Sequence, residues 1–298
     1  MNIPAFPDMR PIVLGDKYTF DRLFKKYPPQ VSEFTFTNLF AWRCAYRFCV
    51  SSLDDCVLAI SAKDKKSPHI FDPIGEQTKK RSVVREVFSL MAGRAKFVRV
   101  PEATAGLFVD EAGIGVEEDR DNFDYVYSAR DLIELKGRDF DAKRNFIRRF
   151  EEQYTFKYEK ITKANLGKCL SFEEEWCNAK ECQRVEGLAA ERAATQEMLR
   201  HFERLGISGG IIEINGKVEA VALGEELNAE TFVVHVEKAN SGCQGIYQAI
   251  SQLFISNEAG RFAYVNREQD LGVSGLRKAK ASYHPHHMVK KYNLVYSR

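Results

Sequence analysis

Long apolar runs are missing from this sequence of 298 residues. Stretches such as 218–223 fall far short of the roughly 18 residues that cross a bilayer, so no transmembrane segment is expected. A dominant charge is missing too. Lys and Arg number 44 against 42 Asp and Glu, and a net charge of +2 sets up no global field of the kind that marks a nucleic-acid binder. No Cys-x-x-Cys pair occurs, and the seven cysteines (Cys44, Cys49, Cys56, Cys169, Cys177, Cys182 and Cys243) are odd in number. That pattern predicts reduced thiols rather than a disulfide framework or a structural zinc. Cys243 lies among glycines, but no His or Asp follows at a spacing that would give it a base. The opening MNIPAFPDMR has no basic stretch leading into a long apolar one; no signal peptide is expected, and the location expected by default is cytoplasmic. Repeats and low-complexity segments are absent as well.

What is present is an ordinary globular composition, 44% hydrophobic and 29% charged, in a chain long enough for two domains. Residues 1–125 read as the first. DKYTFDRLFKKYPPQ predicts a helix stopped by Pro28 and Pro29, and SEFTFTNLFAWR a second helix with Ser32 as its N-cap. RFCVSSLDDCVLAISA reads as a hairpin turning at Asp54-Asp55, SVVREVFSLMAG as a helix ending at Gly93, and KFVRVP as a strand. The segment 110–124 holds seven acids and one arginine, which suggests a solvated stretch near a domain boundary.

Residues 126–298 read as the second domain. KGRDFDAKRNFIRRF (136–150) carries six basic and two acidic side chains. Its helical period groups Phe140, Phe146, Ile147 and Phe150 and turns Lys143, Arg144, Arg148 and Arg149 outward, either as a plain surface helix or as a platform for phosphates. Two helices follow, one carrying Trp176 and one over about 188–205. Three strands come next in GGIIEINGKVEAVALGEELNAETFVVHVEKA, the first two joined by the hairpin signal Asn215-Gly216. NSGCQGIYQAISQLF then opens a helix through glycines, and RFAYVNR is a further strand. The chain closes on YVNREQDLGVSGLRKAKASYHPHHMVKKY, where charges of both signs crowd around Gly272 and Gly275. His284, His286 and His287 flank Pro285 with no carboxylate or cysteine at ligand spacing, so no metal site is expected.

A hairpin, a strand, a glycine-containing turn, a helix and another strand in this order resemble the core of the GNAT acyltransferase fold. More specifically, SEFTFTNLFAWR, KGRDFDAKRNFIRRF, GGIIEINGKVEAVALGEEL, TFVVHVEKA, GIYQAISQLF and the closing segment resemble bacterial proteins similar to the catalytic domain of phosphatidylglycerol lysyltransferases. The resemblance implies an α/β (α+β) protein of two tandem GNAT-like domains, each a mixed, mainly antiparallel sheet flanked by helices, as in the Fem-type transferases. The second domain would carry the chemistry, with the glycine turn presenting backbone N–H groups to the phosphates of an acyl carrier. Acetyl-CoA-dependent members commonly have Arg or Gln three residues before the first glycine of that turn and Gly or Ala two residues after it; here Ala239 and Gln244 stand in those places.

Such a reaction needs a group to take the proton of an attacking amine, donors for the oxyanion and cations for the carrier. His235 and Glu237 lie two apart on one strand and so share a face. With Asp270 and Tyr283 they form the expected catalytic set, Tyr283 as proton donor to the leaving group. Arg267, Glu268, Arg277, Lys278 and Lys280 are expected to bind substrate, with Asp270 facing the cleft and the stretch 267–280 an ordered loop lining it. Gly242, Gln244, Gly245, Lys143 and Arg144 are expected to hold carrier phosphate. The expected function is acyl or aminoacyl transfer from an anionic carrier, aminoacyl-tRNA ahead of acyl-CoA, to an amine or hydroxyl. The acceptor could be a small molecule, a peptide or a lipid headgroup; no cofactor is expected to be tightly bound, and tRNA is the candidate partner. The alternative is a non-catalytic protein of the same fold that binds an anionic ligand or RNA.

Overall fold

A computed structural model describes residues 2–64, 66–184 and 186–297. They fall into two compact units. One takes the chain up to Asp124, then Gln269–Val273 and the C-terminal segment from Met288; the other takes Tyr125–Glu268 and Ser274–His287. The chain thus leaves the first unit one residue before the expected division at 125/126 but returns to it twice, so 126–298 is not one continuous piece.

In the first unit a seven-stranded sheet runs in the order Arg10–Pro11, Phe48–Leu53, Cys56–Ser61, His69–Phe71, Lys96–Pro101, Lys291–Tyr296, Ile114–Glu118. Its pairs are antiparallel except His69–Phe71 with Lys96–Pro101, which the helix Gln77–Leu90 connects. Val83, Val84, Val87 and Phe88 on that helix pack on Ile70 and Phe97 in one apolar core. At the Phe48–Leu53 hairpin Asp54 and Asp55 take φ of 46° and 61°, the left-handed pair that suits the twist of the two strands. Two expectations need correction here. The N-cap of Phe36–Ala41 is Thr35, whose side chain accepts from the Asn38 N–H, while Ser32 gives its N–H and hydroxyl to Asp124 at 2.8 and 2.9 Å. The acidic stretch is not merely a solvated link: it contains the strand Ile114–Glu118, which pairs with the C-terminal strand.

In the second unit the sheet order is His287–Val289, Asp124–Ser128, Tyr264–Asn266, Thr231–Ala239, Lys217–Asn228, Ser208–Ile214, Phe156–Lys160. Thr231–Ala239 and Tyr264–Asn266 are parallel, joined by the helix Ile246–Phe254; the other pairs from Asp124–Ser128 to Phe156–Lys160 are antiparallel. Asn215 and Gly216, with φ of 52° and 79°, make the hairpin turn that their spelling predicts. Each unit is therefore a mixed sheet with one strand–helix–strand crossover, as the tandem reading requires. The thiol expectation fails at one pair: Cys177 and Cys182 form a disulfide, because the end of the helix Leu166–Ala179 and the turn after it bring their Cα atoms to 5.2 Å.

Candidate functional site

The parallel ladder in the second unit is short. It covers Thr231↔Tyr264, Phe232↔Val265 and Val233↔Asn266 and then stops, while the first of the two strands runs on to Ala239. On its other edge that strand pairs with Lys217–Asn228, but the register slips between Leu223↔Val236 and Gly224↔Val234, leaving His235 as the extra residue of a bulge. Gly224 is required there, since a Cβ would lie 2.4 Å from the Val233 carbonyl. After Asn266 the second strand turns. The Asn266 side chain accepts from the Glu268 N–H at 2.8 Å, and Tyr125 brackets the turn, accepting from the Arg267 N–H and donating to the Glu268 carbonyl.

Where the ladder ends, side chains bridge the strands. His235 Nδ1 meets Glu268 at 2.8 Å and its Nε2 meets Glu225 at 2.9 Å; the ring is 1% exposed. Burial lowers the imidazole pKa, but the two carboxylates outweigh it and bring it up to about 9. A ring held as imidazolium with both nitrogens engaged has no lone pair to take a proton. The catalytic expectation for His235 is corrected accordingly: it is a charge tie between strands.

Glu237 accepts from Arg267 Nε at 3.1 Å and also from Nη2. The Arg267 guanidinium lies 4.8 Å from the ring centroid of Tyr283 and 5.8 Å from that of Tyr127. Both side chains of the ion pair are about 15% exposed. Burial acts against the charge of Arg267, yet Glu237 overcomes it and raises the pKa further above its usual range. The pair is only half satisfied. Among the described residues, Glu237 Oε1 and Arg267 Nη1 are buried and have no hydrogen-bond partner. A buried donor or acceptor left so costs roughly 1–3 kcal/mol, which a ligand group of the converse polarity would relieve.

Lys143 reaches the same place from the helix Asp141–Gln153. The helical-face reading has it turned outward, but it is half-buried, while Phe146 is 37% exposed. Its Nζ donates to Ser282 Oγ at 2.6 Å and sits 4.1 Å from the Tyr283 centroid. Burial, then the nearby Arg267 charge, lowers its pKa. Burial pushes the phenols of Tyr283 and Tyr127 up, so both stay protonated. The hydroxyl of Tyr127 donates to the Lys280 carbonyl at 2.9 Å.

The other predicted residues scatter. Asp270 belongs to the first unit, fully buried, accepting from the Gly272 N–H at 2.8 Å and facing Arg120 at 3.4 Å; it is not part of the second unit's cluster. Glu268 is absorbed by His235. The expected loop 267–280 is helical from Ser274 onward, with Arg277 half-exposed and Lys278 exposed on that helix. Lys280 donates to the carbonyls of Arg267 and Glu268. Gly272 has the left-handed φ of 73°, whereas nothing crowds Gly275. Arg144 caps carbonyls of Leu135 and Gly137 and pairs with Asp141, which leaves it unsuited to phosphate. The glycine turn is partly closed: a Cβ at Gly245 would be 2.3 Å from the Phe146 carbonyl, so the close approach serves the helix Asp141–Gln153. Gly242 gives its N–H to Asn240, and Gln244 is exposed. Glu225, Asn266, Tyr127 and Ser282 were not legible as site residues; only the bulge and the turn bring them in.

Comparison with known proteins agrees with this architecture. The family model described as phosphatidylglycerol lysyltransferase, C-terminal, matches residues 24–295. A conserved protein of unknown function from Bacteroides thetaiotaomicron VPI-5482 is 34% identical, with a TM-score of 0.88 over 97% of this chain and 99% of that one. The structure of L-PGS from Bacillus licheniformis gives 14% identity and a TM-score of 0.64, covering 99% of this chain and 94% of that one. A tandem GNAT protein from the clavulanic acid biosynthesis pathway gives 8% identity and 0.50 over 96% and 97%. The last two show the fold alone. No curated protein sequence matches.

Proposed function

Because the chain belongs to the family of phosphatidylglycerol lysyltransferase C-terminal domains, we propose that it transfers an acyl or aminoacyl group from an anionic carrier to an amine or hydroxyl. The observation that carries the proposal is the half-satisfied Glu237–Arg267 pair beneath the parting strands. Its free oxygen suits the ammonium of an aminoacyl group or the proton of an attacking amine, and its free N–H suits a carbonyl oxygen gaining charge. In the transfer the nucleophile bonds to the carbonyl carbon and gives its proton to Glu237. The bond to the carrier's oxygen then breaks, and Tyr283 is the donor that protonates it.

Aminoacyl-tRNA is the favoured donor. An acyl-CoA brings no ammonium for Glu237, Ala239 departs from the acetyl-CoA pattern, and Gly245 is packed against Phe146. The test is to incubate purified protein with tRNA charged with radiolabelled lysine, and separately with acetyl-CoA, in the presence of amine and phosphatidylglycerol acceptors at low salt. Label should leave the tRNA faster than in buffer, and Glu237→Gln should slow that release about 10²-fold or more. Release from neither donor above the uncatalysed rate would overturn the reading in favour of a binding protein.

A further inference from the structure

Buried lysines elsewhere in this protein meet carboxylates. Lys80 pairs with Asp72, Lys238 with Glu173 and Glu191, and Lys291 with Glu33 and Asp124. Lys143 does not. Among the described residues its partners are a hydroxyl, Ser282 Oγ at 2.6 Å, and the Tyr283 ring, whose other cationic neighbour is Arg267. A half-buried ammonium with a second cation against the same ring and no carboxylate partner among the described residues is disfavoured against the neutral amine. We propose that Lys143 and Ser282 form a base–nucleophile pair, so that Ser282 itself accepts an acyl group from an activated ester.

The placement suits a hydroxyl and its base, although Nζ is here the donor and Oγ the acceptor. The 2.6 Å separation is within the range for a nucleophile and its base. Ser282 is half-exposed at the end of the helix Ser274–Ala281, where an ester can reach it. Its hydroxyl hydrogen points to the Ala279 carbonyl at 2.7 Å, and a rotation about the Cβ–Oγ bond redirects it to Nζ. The lowered pKa of Lys143 supports the same direction. In the step, neutral Nζ takes the hydroxyl proton as Oγ bonds to the carbonyl carbon, and the ester's carbon–oxygen bond breaks, releasing the alcohol as its anion. The acyl group then passes to water or an amine, and Oγ recovers its proton from the Lys143 ammonium.

This goes beyond the transfer reading and is read without tRNA or CoA. The probe is p-nitrophenyl acetate, followed by the nitrophenolate burst and by mass spectrometry of the intact and digested chain. The expected result is a burst of about one equivalent, with the acetyl group on the Ser282 peptide. Ser282→Ala should abolish it. Lys143→Arg, which keeps charge and a donor but cannot deprotonate, should slow acylation about 10²-fold or more while the fold, checked by circular dichroism, is retained. Absence of a burst, label persisting in Ser282→Ala, or wild-type acylation in Lys143→Arg would each overturn the proposal. Loss of tRNA deacylation with an intact burst would instead count against the transfer reading alone.

Discussion

His235 Nδ1 lies 2.8 Å from Glu268, just beyond the last backbone pair of their two strands, Val233↔Asn266. An ion pair takes over where the ladder ends. It ties the strands together just before the point where Glu237 and Arg267 meet, and its strength depends on the imidazole staying charged.

Stability should therefore fall as the medium turns alkaline. The folded imidazole titrates at about 9, against about 6.5 unfolded. A raised folded pKa means that the contribution is fully present below pH 6.5 and is lost as pH climbs through 9. The expected loss is on the order of 2–3 kcal/mol, read from urea unfolding at pH 6.5 and 9.5. In His235→Asn that interval should be nearly flat. An equally steep decline in the variant would show that other groups cause it.

Gly245→Ala should destabilise the second unit by about 2 kcal/mol or more. Residue 245 has φ of 89° and the added methyl would meet the Phe146 carbonyl at 2.3 Å, a backbone atom that cannot swing aside. Gly275→Ala, with open space around it and no left-handed φ, should be neutral or slightly stabilising. Equal effects would mean that the turn at 245 is looser than its packing indicates.

In the first unit, Lys291→Met should cost about 3–5 kcal/mol. Its Nζ lies 2.6 Å from both Glu33 and Asp124, all buried, and its removal leaves Glu33 to Arg99 at 3.0 Å and Asp124 without this cation beside a second carboxylate. Adding Asp124→Asn should recover part of the loss. A double variant no better than Lys291→Met would show that the network's charges are not what the lysine balances.

Much of the architecture could be read from spelling because its causes are local. Asn215-Gly216 and Asp54-Asp55 set hairpins through left-handed backbone, and Gly93 stops a helix for the same reason. What could not be read depends on partners far away in sequence. Nothing in 110–124 tells that the chain's last strand will cover Ile114–Glu118, so an acidic run looks solvated. Period alone put Lys143 outside, but Ser282 and Tyr283, some 140 residues on, draw it in. The carboxylates of 268 and 270 look equivalent in sequence, yet one faces His235 and the other Arg120, because the left-handed residues Glu268 and Leu271 twist the chain between elements.

Arg267→Met alone should be worse for folding than Arg267→Met combined with Glu237→Gln. Among the described residues Arg267 is the cation that pairs with Glu237, and the pair sits in a setting where each charge is tolerable because of the other. Removing the guanidinium leaves a buried carboxylate, a loss of about 3–5 kcal/mol, while neutralising both leaves an amide beside a thioether. Denaturant unfolding of the two single variants and the double variant gives the coupling energy directly. It should be on the order of 2 kcal/mol. Activity should behave differently: the double variant should refold well and still fail to deacylate charged tRNA, since the unpaired oxygen and N–H proposed to meet the substrate are both altered. A double variant that is stable and fully active would remove Glu237 and Arg267 from the chemistry and leave the pair as a strut.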